Sequence, residues 1–109
     1  MMEIDFFMFD LPALLGANNS REYQERILLR ATVLTNFLIQ NNLIINIEPY
    51  DDNGNIRKDL VIKLSNLTPD GVELFRKPVN NWLKAHDRGT PIENINILEK
   101  GLAKIKQKN

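Results

Sequence analysis

The feature that most limits what this chain can fold into is an asparagine-glycine dipeptide, Asn53-Gly54, set between two apolar runs of matching length. Asn-Gly is the two-residue turn that best tolerates positive φ at both central positions, and turns of that kind join antiparallel strands. The spacing predicts strands over 43–49 and 58–64. Folded about that dipeptide, Leu43 faces Leu64, Ile45 faces Ile62 and Ile47 faces Leu60, which aligns three apolar pairs on one face.

Helix signals surround this hairpin. From Ser20 or Arg21 to about Asn41, Tyr23, Ile27, Ala31, Leu34 and Leu38 recur every three or four residues, and Val33 and Phe37 widen the stripe. So broad an apolar face predicts a central helix, with Ser20 as N-cap and Asn41-Asn42 as a polar stop. Thr68-Pro69-Asp70 predicts a second helix start, because proline at the first helical position loses a donor that has no partner there anyway. Its apolar face runs through Val72, Phe75, Val79, Trp82 and Leu83 to His86, across Pro78. Proline inside a helix removes a backbone bond and crowds the preceding turn, so a bend or a split is expected at Pro78, with Gly89 as the final stop. Thr90-Pro91-Ile92-Glu93 reads as a capping box, predicting a last helix from Pro91 to about Gln107. Gly101 either weakens that helix or permits close approach of a neighbour. At the N-terminus, Ile4, Phe6 and Met8 alternate as in a third strand, and Asp10-Leu11-Pro12 could open a short helix ending at Gly16. The expected fold class is therefore α+β: one domain over 1–109, an antiparallel hairpin that the N-terminal segment can extend, and three main helices.

Composition narrows the function classes. With 43% hydrophobic and 26% charged residues, a chain of 109 residues can bury a core unaided by metal or disulfide. It has no cysteine, hence no thiol nucleophile and no thiolate metal site, and a reducing, cytoplasmic setting is the expectation. Glu3, Asp5 and Asp10 interrupt the apolar start, which distinguishes it from a signal peptide, and no run reaches the roughly 18 apolar residues of a membrane span. The 14 basic and 14 acidic residues balance, but unevenly along the chain. Glu48, Asp51, Asp52 and Asp59 gather at the hairpin. Lys100, Lys104, Lys106 and Lys108 end the chain, where the helix dipole favours cations.

No catalytic constellation, cofactor site or metal site is expected. His86 and Asp87 are adjacent, and neighbouring helical residues point about 100° apart, too far for a dyad. Asp51-Asp52-Asn53-Gly54-Asn55 lacks the alternating ligands and terminal glutamate of a calcium loop. Binding functions therefore lead. The order strand, Asn-Gly turn, strand, then Leu67-Thr68-Pro69-Asp70-Gly71-Val72-Glu73-Leu74-Phe75 resembles the wing and following helix of bacterial winged-helix regulators, which would imply DNA binding. Asp51 and Asp52 would then occupy the wing tip, where a phosphate reader needs lysine or arginine, and a long apolar helix stands in place of a basic recognition helix. As a whole, a small cysteine-free chain rich in Asn, Ile and Lys resembles the immunity proteins of bacterial contact-dependent growth inhibition and related toxin systems. That resemblance implies a protein that binds and neutralises a cognate toxin domain, commonly a nuclease. Glu48, Asp51, Asp52 and Asp59 are the acidic candidates for a basic partner cleft, and Trp82, with the Phe6 to Phe9 stretch, is the candidate aromatic anchor.

Overall fold

The computed structural model describes residues 4–16 and 20–107. Lys108 lies outside these residues, as do residues 1–3. The fold is α+β. Strand β1 (Phe7–Asp10) leads directly into a short helix α1 (Leu11–Gly16), then a long helix α2 (Arg21–Gln40). An irregular segment follows, then strand β2 (Val61–Lys63), a 3-10 turn over Leu64–Asn66, and helices α3 (Pro69–Arg76), α4 (Pro78–Asp87) and α5 (Asn96–Gln107).

Helix α2 starts and stops as its sequence predicts. The Ser20 hydroxyl accepts from the Tyr23 N–H at 3.4 Å. At the other end Asn42 adopts φ +56°. The Asn42 N–H donates to the Ile39 carbonyl at 3.1 Å and the Leu43 N–H to that of Leu38 at 2.9 Å, a Schellman closure with asparagine in the left-handed position. Ile27, Ala31, Leu34, Phe37 and Leu38 bury one broad face, so α2 is the central helix.

Helices α3 and α4 are the two segments expected on either side of Pro78. Thr68 caps α3 by accepting from the Gly71 N–H at 3.2 Å, with Pro69 at the first position. Lys77 leaves the helical region at φ −139°, and Pro78 then opens α4. Gly89, at φ +108°, ends it. Its N–H donates to the His86 carbonyl and that of Thr90 to Ala85, both at 3.0 Å. Helix α5 packs on both α3 and α4. Gly101 makes this possible, since a Cβ there would stand 2.5 Å from Pro78 Cγ. Trp82, Leu74 and Leu98 from these helices are fully buried and share one core with Leu11, Leu34, Leu38 and Ile62.

Two expectations need correction. The sheet is an antiparallel pair, but its strands are β1 and β2, with Phe7 opposite Lys63, Phe9 opposite Ile62 and Asp10 opposite Val61 across an irregularity between Phe7 and Phe9. The N-terminal segment is thus the partner of β2 rather than an extension of a hairpin. Residues 43–50 form no strand and enter β pairing only as isolated bridges, Ile44 with Leu67 and Tyr50 with Ile56, so the expected Leu43–Leu64, Ile45–Ile62 and Ile47–Leu60 pairs do not form. The reason is local. Asn46 sits at φ +56°, which turns the chain out of a strand, and the Asn66 side chain clamps the bend by donating to the Ile45 carbonyl at 3.2 Å. Leu43 is buried as a result, while Ile45 is 45% exposed. At the tip only Gly54 has positive φ, +81°. Its N–H donates to the Asp51 carbonyl at 3.0 Å, and the Asp51 N–H to that of Asn55 at 2.8 Å. This is a turn followed by a glycine bulge, not a two-residue turn with both residues left-handed.

The second correction concerns the last helix, which begins at Asn96 and not at Pro91. The Thr90 N–H is bonded to the Ala85 carbonyl at the end of α4, which takes away the donor that the Glu93 side chain would accept from in a capping box. Instead Pro91 to Asn94 form one turn closed at 3.0 Å, Ile92 is buried, and Asn94 Oδ1 accepts from the Asn96 N–H at 3.2 Å. The capping box of Thr90 and Glu93 does not form.

Candidate partner-binding surface

The acidic candidates sit on the 43–60 segment, which the side chains of Tyr50, Arg57 and Asn66 help to brace. Tyr50 donates its hydroxyl to Asn36 Oδ1 on α2, and burial raises the Tyr50 pKa above its ordinary value. Arg57 donates its backbone N–H to the Pro49 carbonyl at 2.8 Å and its Nε to the Glu48 carbonyl at 3.1 Å. Asn66 clamps the bend at Ile45, as above. The segment is therefore a braced loop lying along α2, where Leu28, Thr32, Tyr50 and Ile56 line a shallow depression.

Within that loop the four carboxylates have different duties. Asp51 is a turn residue: Oδ1 accepts from the Asn53 N–H at 2.9 Å and the Asn55 N–H at 3.0 Å. Glu48, Asp52 and Asp59 are exposed, and none forms an ion pair among the described residues. They are free to meet a partner's charges, whereas Asp51 shapes the turn that carries Asp52.

Trp82 does not join them. It is 1% exposed, on α4 within the hydrophobic core, so it is a core residue and not an exposed anchor. Its Nε1 and the Thr35 hydroxyl are buried without a hydrogen-bond partner among the described residues. The exposed aromatics are instead at the start of the chain. Phe6 and Phe7 are 58% and 59% exposed, with Ile4 beside them, and Lys63 Nζ stands 5.8 Å over the Phe7 ring. Asp5 fixes this segment by accepting from the Ser65 N–H at 2.9 Å and hydroxyl at 2.7 Å, and those bonds hold its carboxyl below the ordinary carboxylate value.

One polar cluster was not visible in the sequence. Arg30 on α2 reaches across to α4, donating Nε to His86 Nδ1 at 2.8 Å and Nη2 to Asp87 Oδ1. His86 and Asp87 are thus bridged by a guanidinium rather than bonded to each other, and 56 residues separate His86 from Arg30. Nothing along the chain marks that pairing in advance. No group of His, Asp and Glu suited to a metal ion occurs among the described residues. None of the helices described is long and apolar enough to cross a membrane.

Compared with protein-family models, with curated proteins and with solved structures, the chain matches none, so its functional reading rests on its own surface.

Proposed function

We propose that this protein is a protein-binding inhibitor, an immunity protein that neutralises a cognate toxin domain in the cytoplasm and catalyses no reaction itself. The observation that carries this reading is the set of three exposed, unpaired carboxylates, Glu48, Asp52 and Asp59, on one loop braced against α2. A nuclease cleft is basic because it must hold phosphates. Carboxylates presented on a rigid support complement it and accelerate encounter, with little ordering cost on binding. The same charges argue against a phosphate backbone as the ligand, since DNA binders gain affinity from cations released against phosphate.

The direct test is co-expression with the product of an adjacent gene that carries a toxin-type C-terminal domain. A complex that survives size-exclusion chromatography and abolishes the toxin's activity is expected. Active toxin eluting apart from this protein would overturn the reading.

A further inference from the structure

We infer that Arg30 and His86 form an acid-sensitive latch that holds α4 against α2 and loosens when the imidazole takes up a proton. The geometry sets the chemistry. A guanidinium stays protonated at any pH a folded protein survives, so Arg30 Nε can only donate. His86 Nδ1, 2.8 Å away, must therefore accept, which requires a neutral imidazole with its proton on Nε2. Protonation would set donor against donor and charge against charge. Arg30 has no ready retreat, because its side chain is only 16% exposed and its Nη2 is committed to Asp87.

The groups facing His86 decide which way it leans. Arg30 and Arg26 oppose its protonation from α2; Asp87 on its own helix and Glu93 from the segment after α4 favour it. Burial and the Arg30 charge prevail, and the imidazole is held below its ordinary value. The unfolded chain therefore binds the proton more readily than the folded one. The latch's contribution to stability is complete above the ordinary histidine value and is lost as the pH falls below it.

Loosening has a defined structural consequence. Arg30, with Met8, Phe9, Leu14, Trp82 and Leu83, lines an apolar cleft of about 300 Å³ between β1, α1, α2 and α4. Releasing Arg30 from α4 removes one wall of that cleft. Trp82 is the sole tryptophan, so its emission reports the cleft without a label.

The experiment is an NMR titration of His86, the sole histidine, alongside Trp82 fluorescence, on the full chain from about pH 8 to about pH 4. The expected result is an imidazole that titrates below its ordinary value, with a red shift of Trp82 emission following the same curve. His86→Gln keeps an acceptor for Arg30 and removes the titration, so its emission should stay unshifted across that range. Arg30→Met should return the imidazole towards its ordinary value. A wild-type histidine titrating at or above the ordinary value would overturn the latch. So would an acid-induced Trp82 shift that persists unchanged in His86→Gln, which remains informative should Arg30→Met fail to fold.

Discussion

At Gly101 two residue-level effects compete, and their magnitudes decide the outcome. Alanine in a helix interior is favoured over glycine by about 1 kcal/mol. A Cβ at this position, however, would lie 2.5 Å from Pro78 Cγ and 2.6 Å from Pro78 Cβ. The proline ring cannot swing aside, since it is bonded into the backbone at the first position of α4. Overpacking of this kind costs about 1–3 kcal/mol, so Gly101→Ala should destabilise the protein by about 1 kcal/mol or more in a urea melt, against the helix-propensity trend. An unchanged or raised midpoint would mean that α4 and α5 do not meet there. The sequence left Gly101 open between two roles, and only the position of Pro78 on another helix separates them. Trp82 was ambiguous for the same reason: an indole on an apolar helical face serves equally as core or as anchor, and only burial among residues distant in the sequence makes it core.

Elements whose signals are local were legible, and elements defined by a distant partner were not. Thr68-Pro69 starts α3 and Gly89 stops α4 because caps, proline geometry and left-handed glycine act within a few residues. The split at Pro78 is legible on the same ground. The strand pair is different, because β2 finds its partner in β1 near the start of the chain, while an apolar alternation over 43–49 offered a nearer one. Two left-handed asparagines, Asn42 and Asn46, cancel that alternation, and asparagine tolerates such a conformation without announcing it. Thr90 misleads for a related reason, since the end of α4 takes the N–H that a capping box would give to Glu93. These two threonines therefore make a matched test at the scale of elements. Thr68→Ala should cost about 1 kcal/mol in thermal or urea unfolding, the usual loss for an N-cap, and Thr90→Ala markedly less. Equal losses would restore the capping box and contradict the observed start at Asn96.

Across the whole molecule, the core and the proposed binding surface are separate structures. Trp82, Leu74, Leu98 and the α2 face hold the body together, while the carboxylates ride on a loop tied down by Tyr50, Arg57 and Asn66. Of that surface the sequence showed the residues but not their division of labour. Asp51 looks like Asp52 in the sequence, and only its bonds to Asn53 and Asn55 make it a turn residue. Charge reversal at Asp52 and Asp59 should accordingly leave the fold intact and act on binding alone. The measurement that tests the central claim most directly is stopped-flow association of the Asp52→Lys/Asp59→Lys variant with the toxin domain, at low and high salt. The account predicts an association rate about tenfold slower than wild type at low salt, a difference that closes as salt screens the charges, and a dissociation rate little changed. An association rate equal to wild type at low salt, or a gain of DNA affinity in a wild-type protein that already binds DNA, would contradict it.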